Sequence, residues 1–404
     1  MTDPTGAVFI SYRHSQKEIA IELDERLREH GVPIWRDERK TEADPLEAQI
    51  EEQLESDAIS GAILLISDDI LESSTIVNVE IPGMQLRQES SEEFFVIILR
   101  CPGMSASHAQ EILSDVPSVN NFSEWFLHEL QREDEESLNF TRIIGEVIRH
   151  RLDAITQKMD DADTVACAIN SYPPRDGASQ RSFNADLSHH FEDGLPSQDV
   201  WNNRIGDTVT RLTDQIASNV GSRTVEFTGH AHLPIAFTAG TRLPATGGIH
   251  AVWRQLDRQF EETMWDLTVD AEEANISTKH RLRNSEQTDM AVCLSLTDDV
   301  EPEVGNTATL PEFNTIVEIT RTDFGPDITP AEGVEIASAF QTKVRDQLNR
   351  RSNIDTIHLF ASVPVGLAFL LGQHTNTLPT IQTYALDTSE KPRQYKPAIT
   401  VNTP

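Results

Sequence analysis

The sequence predicts an α/β protein with a parallel-sheet domain at its N-terminus and two related α/β halves after it. Short apolar runs alternate with amphipathic helical segments through the first 155 residues. These runs are continuously apolar, which indicates strands covered on both faces, as in a parallel sheet. The rest of the chain contains a strand, a turn and a helix that occur twice at a constant spacing of 132 residues. Such a repeat indicates duplicated structural units.

A strand, a helix and a second strand open the chain. The first strand covers residues 8–12 and ends on polar side chains. Ser15 is a suitable N-cap for the following helix, which has apolar residues at helical spacing and ends at Gly31. Residues 32–35 then form a short second strand. This order predicts a βαβ unit, and ligands bind at the carboxyl edge of parallel α/β sheets.

The alternating pattern continues to the end of the first domain. It predicts strands at residues 62–66 and 94–99, and helices around residues 46–54, from about Ser74, and over about 137–157. The acidic segment 158–163 interrupts the pattern. We therefore expect one domain over residues 1–157 and a second region over residues 158–404.

The repeat in the second region lies on two strands and the turns that follow them. Residues 224–232 shift by 132 positions onto residues 356–364 without a gap. The pattern predicts two Rossmann-like halves, at about 164–270 and 288–404, that are related by a pseudo-twofold axis.

Composition narrows the functional class. The formal net charge is −33, which disfavours binding to DNA, RNA polymers and anionic membranes. The three cysteines share no close spacing; Cys167 and Cys293 lie at matching positions of two strands and are expected to be core residues. We expect no disulfide framework and hence a reducing cytoplasm. The sequence shows no apolar run of membrane-spanning length and no secretory pattern, so we expect neither feature.

Residues 8–15, VFISYRHS, and residues 31–37, GVPIWRD, together resemble the start of TIR domains. This resemblance implies a flavodoxin-like parallel sheet. In TIR enzymes that cleave NAD, a glutamate ends an S-x-W-x-x-x-E pattern, and Ser74, Ile76 and Glu80 occupy its three positions here. The resemblance therefore implies that Glu80 is catalytic and that NAD is the substrate. Ile76 replaces the aromatic residue, so part of the expected stacking surface is missing.

The chemistry explains why a carboxylate is needed at Glu80. Breaking the bond between ribose and nicotinamide builds positive charge on the sugar, and a positioned carboxylate stabilises that charge. Because nicotinamide leaves as a neutral ring, one acidic residue is enough. We expect neither a cofactor nor a metal.

Further candidates for binding NAD lie near the carboxyl edge of the predicted sheet, together with Ile76. They are Ser11, Tyr12, Arg13, Trp35 and Asp37. Tyr12 or Trp35 would stack on a nicotinamide or adenine ring, and Arg13 would meet a phosphate. The alternatives are that Trp35 covers the core and that Asp37 caps its loop.

Residues 358–372, HLFASVPVGLAFLLG, followed by residues 378–384, resemble the signature of SAVED domains. These domains consist of two fused CARF-like halves and sense cyclic oligonucleotides in bacterial antiphage signalling, known as CBASS. The resemblance covers about residues 160–404 and agrees with the repeat in the sequence itself. It implies a TIR–SAVED effector. A bound cyclic oligonucleotide, such as cyclic tri-adenylate, would assemble subunits into an oligomer or filament and activate NAD hydrolysis.

Turns between strands and helices are the candidate ligand sites in the repeated region, because backbone amides at helix starts bind phosphates. The candidate residues are Gly229, His230, His232, Ser362, Pro364 and Gly366, with Tyr172 as a stacking ring and Arg175 as a cation. The alternative is that these turns are ordinary βα loops. His230 and His232 do not predict a metal site, because Ser362 and Pro364 fill the matching positions.

Two functions stay open on the sequence alone. The first is a ligand-activated NAD glycohydrolase that releases nicotinamide and ADP-ribose in the cytoplasm. The second is a non-catalytic TIR adaptor that assembles partners when ligand binds. The sequence also leaves both linear and cyclic ADP-ribose open as products.

Overall fold

A computed structural model of the protein describes residues 2–36, 46–116, 125–133, 138–160, 163–173, 181–256, 261–324, 328–389 and 391–402. The chain forms two compact units. The first unit comprises residues 1–160 and 179–185, and the second comprises residues 161–178 and 186–404. Within the described residues, no helix has both the length and the apolar character needed to cross a membrane.

A five-stranded sheet forms the centre of the first unit, and all of its strand pairs are parallel. Its strands are β1 (Ala7–Ser11), β2 (Ile34–Trp35), β3 (Ile59–Ile66), β4 (Phe95–Arg100) and β5 (Phe126–Glu129). They lie in the order β2-β1-β3-β4-β5, which is the flavodoxin-like order. The predicted parallel α/β fold is thus confirmed. A separate antiparallel pair is formed by β6 (Gln131–Arg132) and β7 (Leu138–Asn139).

Helices accompany this sheet: α1 (Lys17–Glu29), α2 (Leu46–Glu55), α3 (Ile81–Ser90), α4 (Ala106–Ser114) and α5 (Thr141–Lys158). The apolar face of α1 is buried, with Leu23 and Leu27 fully inaccessible. Every residue of β3 is buried as well. Both faces of the sheet are therefore covered, as the continuous apolar strands predict.

One of two predicted helix starts is confirmed. The helix expected from about Ser74 begins there, passes through a π-helical turn, Ile76–Glu80, and continues as α3. Pro82 explains the wide turn, because proline has no N–H and its ring clashes with the carbonyl four residues earlier. The last helix does not start near residue 137; β7 precedes it and α5 begins at Thr141.

A short segment after the first strand of the second unit, residues 179–185, belongs to the first unit. The buried guanidinium of Arg151 donates to three backbone carbonyls, those of Ser182 (2.9 Å), Gly6 (2.7 Å) and Thr5 (2.5 Å). These acceptors satisfy a cation that is only 2% exposed. The segment is therefore held to α5 and to the N-terminal residues by one buried side chain.

The first half of the second unit contains parallel strands β8 (Thr164–Asn170), β10 (Thr224–Thr228) and β11 (Ala251–Leu256), with antiparallel β12 (Glu262–Trp265) at the edge. They lie in the order β12-β11-β10-β8. The short strand β9 (Phe183–Asp186) starts in the segment that belongs to the first unit. The helices are α6 (Gln198–Val200), α7 (Asp207–Asn219) and α8 (Leu233–Thr241), with a π-helical turn, Trp201–Gly206, before α7.

The second half of this unit contains a six-stranded sheet in the order β13-β15-β14-β16-β17-β18. Its strands are β13 (Ile276–Leu282), β14 (Asp289–Ser295), β15 (Thr315–Arg321), β16 (Thr356–Ser362), β17 (Thr380–Asp387) and β18 (Gln394–Val401). Its helices are α9 (Glu301–Asn306), α10 (Pro330–Arg350) and α11 (Val365–Gln373). The parallel trio β14, β16 and β17 repeats the trio β8, β10 and β11 of the first half.

The helices α8 and α11 demonstrate the predicted pseudo-twofold relation. Both have nine residues, and they pack against each other at Gly240 and Gly372, which the shift of 132 makes equivalent. A Cβ atom on Gly240 would lie 2.1 Å from the carbonyl oxygen of Phe369, and one on Gly372 would lie 2.2 Å from that of Phe237. Phe237 and Phe369 are also equivalent. Each helix thus makes the same contact with the other, and the predicted pair of related halves is confirmed.

One expected equivalence is wrong by a single residue. Cys167 lies opposite Phe227 on β10, whereas Cys293 lies opposite Phe360 on β16. The equivalent of Cys167 is therefore Val292, which lies opposite Leu359. Since a shift of one residue turns a strand side chain to the other face of its sheet, the two cysteines occupy different faces. Both are buried, as expected of core residues.

Candidate active site and ligand-binding turns

A cleft of about 580 Å³ lies at the carboxyl edge of the first sheet. The strand order reverses between β1 and β3, and ligands bind at such a switch point in open α/β sheets. The polar lining of the cleft comes from the residues that follow β1, β3 and β4. It includes Ser15, Ser67, Asp68, Asp69, Cys101 and His108. Of these residues only Ser15 was given a role from the sequence, as the N-cap of α1, and that prediction is wrong, because Gln16 occupies the N-cap position. Their available signal was the polar run 67–69, which ends an otherwise apolar strand.

Asp69 is the most strongly held carboxylate of this cleft. Its oxygens accept hydrogen bonds from Ser67 Oγ (2.6 Å) and Ser15 Oγ (2.8 Å), and Arg13 Nε lies 3.4 Å away. The hydrogen bond from Ser67 is the main reason why the pKa of Asp69 lies below its usual value. Arg13 also pairs with Glu72 at 3.4 Å. The Arg13 guanidinium thus spans two carboxylates beside the cleft, so a phosphate would have to compete with them.

Glu80 ends the π-helical turn and is 7% exposed. Here the N–H of Ile81 donates to the carbonyl of Ile76, five residues earlier. Single π-helical turns are rare and occur frequently at functional sites. Glu80 is not among the residues that line the 580 Å³ cleft in the described part of the chain. The carboxylate predicted to be catalytic is therefore placed on an unusual turn, apart from that cleft's lining.

The other predicted NAD-binding residues have different environments. Ser11 is 1% exposed, and its hydroxyl has no hydrogen-bond partner among the described residues; Tyr12 follows it and is half-buried. Trp35 stacks on Phe9, with ring centroids 5.1 Å apart and planes 14° apart. Ile76 is 3% exposed and belongs to the same apolar core. Asp37 lies outside the described residues.

Two of these environments favour a structural role over direct contact with NAD. Trp35 packs one face on Phe9 and is partly buried against the core, which agrees with the alternative that it covers the core. Ile76 faces the same core and presents almost no surface to a substrate. The buried hydroxyl of Ser11 remains the clearest polar group at the end of β1, because a buried donor without a partner requires an explanation.

The turn of the first half in the second unit brings together residues after β8 and β10. The backbone N–H groups of Ser171 and Tyr172 both donate to the carbonyl of His230, at 3.0 and 3.2 Å. The hydroxyl of Ser171 accepts the N–H of His232 (2.8 Å) and hydrogen-bonds to its Nδ1 (2.7 Å). Gly229 has φ +136°, and a Cβ there would lie 2.0 Å from the carbonyl oxygen of Ile169. Glycine is thus required by the turn itself.

Aromatic rings stack across this turn. Tyr172 stacks with His230 at 4.2 Å and with His232 at 4.3 Å, and Phe191 stacks with His232 at 4.3 Å between ring centroids. The edge of Trp201 meets His232 at 6.0 Å. Burial is the main cause that lowers the pKa of His232 to about 4, and the nearby His230 lowers it further. His232 is therefore a neutral ring at physiological pH.

The turn of the second half is built from residues after β14 and β16. The N–H groups of Leu296 and Thr297 both donate to the carbonyl of Ser362, at 3.1 and 2.9 Å. The hydroxyls of Thr297 and Ser362 are hydrogen-bonded at 2.8 Å. Pro364 occupies the N-cap position of α11. These bonds repeat those of the first turn, so the structure places Ser362 and Pro364 as counterparts of His230 and His232.

Gly366 is enclosed rather than open to a ligand. Its backbone N–H donates to Gln255 Oε1 at 3.0 Å, and a Cβ on it would lie 2.0 Å from the indole of Trp265. A phosphate at this amide would have to displace the Gln255 side chain, and binding of the ligand by Gly366 stays a prediction. Arg175, the predicted cation, lies outside the described residues.

Sequence reasoning missed Ser171, Phe191 and Thr297 in these turns. Ser171 and Thr297 follow β8 and β14, which are equivalent strands of the two halves. The sequence repeat could therefore have pointed to both residues, because they lie just after the strands that it relates. Phe191 had no signal, because it ends a 3₁₀ turn of four residues, Ser188–Phe191, which is too short to show periodicity.

Family comparisons agree with this division of the chain. Residues 8–139 match the family model of the TIR domain. Residues 209–401 match that of SAVED, described as the SMODS-associated and fused to various effectors sensor domain. No curated protein matches the chain.

Among solved structures, the chain is similar to the Acinetobacter baumannii Cap4 SAVED/CARF-domain containing receptor with the cyclic trinucleotide 2'3'3'-cAAA. The identity is 13%, the match covers 90% of this chain and 86% of that one, and the TM-score is 0.50. The same receptor with 3'3'3'-cAAA matches at 12% identity over 90% and 87%, with a TM-score of 0.49. At such identity the first likeness shows a shared fold.

A parallel flavodoxin-like sheet followed by two pseudo-symmetric Rossmann-like halves defines an effector domain joined to a SAVED-type sensor fold. With its N-terminal match to TIR, the chain has a TIR–SAVED architecture. The first unit is called the TIR domain and the second the SAVED domain below.

Proposed function

We propose that this protein is a ligand-activated NAD glycohydrolase of cyclic-oligonucleotide antiphage signalling in the cytoplasm. A cyclic oligonucleotide binds the SAVED domain, the subunits assemble into an oligomer or filament, and the TIR domain hydrolyses NAD to nicotinamide and ADP-ribose. NAD is the substrate, and no other cofactor takes part. The joining of a TIR domain to a SAVED domain supports the assignment to the effectors of cyclic-oligonucleotide signalling.

The proposal that the TIR domain hydrolyses NAD rests on Glu80, a nearly buried carboxylate on a π-helical turn of that domain. In the proposed reaction Glu80 stabilises the positive charge that develops on the ribose as nicotinamide leaves. Water then attacks the ribose carbon and gives ADP-ribose. The buried hydroxyl of Ser11 is a candidate partner for a polar group of NAD.

The SAVED domain supplies the proposed ligand site at its two turns. The receptor from Acinetobacter baumannii was solved with cyclic trinucleotides, and a cyclic tri-adenylate is the ligand we propose here. Tyr172, His230 and His232 offer ring faces for a base, since base–aromatic stacking is worth about 1–3 kcal/mol. The net charge of −33 disfavours longer nucleic acids and anionic membranes as partners.

Regulation by assembly has a physical motive. An NAD glycohydrolase that is always active would deplete the NAD of its own cell. A site that is completed only when subunits meet would stay inactive until the ligand appears. A head-to-tail contact that does not close produces an open filament.

The test is nicotinamide release from NAD by the purified full chain, with and without a panel of cyclic oligonucleotides. We expect release only with an activating ligand, and a fall of about 100-fold or more in Glu80→Gln. Glu89→Gln is the matched control, because Glu89 is an exposed glutamate on the following helix that accepts a hydrogen bond from Gln85. Absence of release with every ligand would contradict the proposal.

The second candidate is a non-catalytic adaptor. The burial of Ile76 and the stacking of Trp35 on Phe9 favour it, because they reduce the ring-stacking surface for NAD. An adaptor would bind cyclic oligonucleotides and assemble without NAD turnover. Unchanged cell toxicity in Glu80→Gln would support it. Chromatography of the products separates linear from cyclic ADP-ribose.

A further inference from the structure

The strand β13 is a basic stretch of an acidic chain. The sequence as a whole has 66 acidic residues against 33 lysines and arginines. Residues 274–285 contain no acidic residue, and β13 carries Lys279, His280 and Arg281, with Arg283 directly after it. All four of these side chains are exposed. A local group of cations on an otherwise negative surface attracts a negatively charged partner.

β13 is also an edge strand. It lies at the end of the six-stranded sheet and pairs only with β15 among the described residues. Alternate residues of such a strand direct their N–H and C=O groups to the open side. A row of unpaired donors and acceptors can bind a further extended chain as an additional strand. The backbone of β13 is therefore suited to an extended polypeptide.

Two free cations mark one face of this edge. Side chains alternate along a strand, so Lys279, Arg281 and Arg283 share a face. Arg281 is held by Glu301 at 2.7 Å and by a close contact with Glu318. Lys279 and Arg283 have no ion-pair partner among the described residues. Positions four residues apart in a strand are separated by about 13 Å. The face thus presents two unpaired charges at a defined spacing.

The opposite face and the backbone favour a peptide over a nucleic acid. Leu282 lies on that face and is 61% exposed, so it can contact an apolar side chain. Phosphate groups accept hydrogen bonds and donate none, so they leave the open carbonyls of β13 unpaired, whereas a peptide backbone satisfies both kinds of group. A nucleic acid also carries a charge at every nucleotide, which the net charge of −33 repels.

The charges also disfavour pairing of β13 with the same strand of a second copy. In a twofold antiparallel pair centred on Arg281, each Lys279 would face an Arg283. Like charges directly opposite each other destabilise a sheet. A segment with carboxylates at the facing positions would instead form an opposite-charge pair with each cation. The edge therefore favours an acidic strand over a basic one.

We propose that β13 binds an extended acidic segment of a partner protein as an additional strand. Two carboxylates of that segment, four residues apart, pair with Lys279 and Arg283, and an apolar residue between them contacts Leu282. This interaction involves neither NAD nor a cyclic oligonucleotide and goes beyond the proposed function.

The experiment measures the Kd of the full chain for two nine-residue peptides of the same composition, built from threonine, valine and two glutamates. In the first peptide the glutamates are four positions apart and face the same side of a strand. In the second they are three positions apart and face opposite sides. We expect the first peptide to bind about tenfold or more tightly, because the second can form only one of the two ion pairs.

Variants test the two cations. Lys279→Glu and Arg283→Glu are each expected to weaken binding of the first peptide about tenfold or more and to remove the difference between the peptides. Arg350→Glu is the matched control, because it changes the charge equally at an exposed arginine of α10, and it should bind like the wild type. With both reversals combined, the protein should bind a peptide whose glutamates are replaced by lysines, which shows that it is folded.

Three results would overturn the proposal. The first is no binding of the four-apart peptide up to about 1 mM, or equal binding of both peptides. The second is binding of hexauridylate in place of that peptide, which would make the partner a nucleic acid. The third is self-association of the full chain that both reversals abolish while no peptide binds, which would make a second copy the occupant. None of these measurements involves NAD, so their failure is distinct from failure of the proposed function.

Discussion

The two halves of the SAVED domain agree where their helices touch and differ where their turns meet solvent. At the crossing of α8 and α11, Gly240 and Gly372 lie against each other's helix backbone with nearly the same distances, 2.1 and 2.2 Å, to a hypothetical Cβ. A duplicated backbone can retain such a contact only if both glycines persist. Symmetry is therefore kept by backbone packing, while the turns are free to acquire separate chemistry.

The differences between the turns are coupled rather than random. Ser171 accepts the N–H of His232 in the first half. In the second half the counterpart of His232 is Pro364, which has no N–H, and the counterpart of Ser171 is Leu296, which has no acceptor. Donor and acceptor are thus present together or missing together, as expected when an unpaired buried polar group is costly.

The glycine crossing gives the largest expected effect. Gly372→Ala places a methyl group against the carbonyl of Phe237, and Gly240→Ala against that of Phe369. We expect each change to lower the free energy of unfolding of the SAVED domain by about 4 kcal/mol, because backbone on both sides prevents relaxation. Chemical denaturation measures it. Gly305→Ala is the control, since a Cβ there meets nothing within 4 Å. Clearly different losses of unfolding free energy in Gly240→Ala and Gly372→Ala would contradict the inferred symmetry of this contact.

Acid sensitivity of the turns is the next effect and belongs to the first turn only, because Pro364 takes the place of His232 in the second. The pKa of His232 is lowered to about 4 by burial, whereas an unfolded histidine titrates near 6.5. Between these values the unfolded chain binds a proton that the folded chain does not, so stability is full above about pH 6.5 and falls as the pH drops toward 4. The difference amounts to about 3 kcal/mol.

His232→Phe keeps a stacking ring and removes this titration. We expect its unfolding free energy to depend less on pH between 6.5 and 4 than that of the wild type. His358 and His374, whose pKa values are also lowered by burial, are present in both proteins and cancel in the difference. Equal slopes for the two proteins would show that His232 is not the sensitive group.

The coupled pair of the first turn gives the smallest effect. Ser171→Ala removes the acceptor of the His232 N–H and is expected to cost about 2 kcal/mol. In a His232→Pro background the N–H is absent, as at Pro364, so the same change should cost less. A double-mutant cycle from denaturation curves measures the coupling. A coupling of zero would mean that the two residues vary independently.

Much of the fold could be predicted because it is encoded in local patterns of the sequence. Continuous apolar strands predicted the parallel sheet, and the repeat predicted both halves. β5 was missed, since Phe126–Glu129 is an edge strand with only one buried residue and therefore lacks the apolar run. The π-helical turn at Glu80 depends on Pro82 and on helix bonding that hydrophobic spacing does not record.

The site was less predictable, because its contacts join residues far apart in sequence. Arg13 meets Asp69, 56 residues away, and no local pattern links the two. Glu80 was predicted to be catalytic only through resemblance to TIR enzymes, since an isolated glutamate on a helix has no distinguishing pattern. Trp35 shows the converse case: its position at a strand end suggested a ligand contact, and the stacking of its ring on Phe9 agrees with the alternative that it covers the core.

Residues 179–185 make the TIR domain discontinuous along the gene. The sequence returns to it after the first sensor strand, and the carbonyl of Ser182 completes the acceptors of the buried Arg151. Recombination at a single point after residue 160 would deliver a domain in which Arg151 lacks that acceptor. An exchange of effector domains between sensors at this junction thus requires two crossovers, or compensation for one unpaired buried donor. The fusion is more easily inherited whole than reassembled from parts.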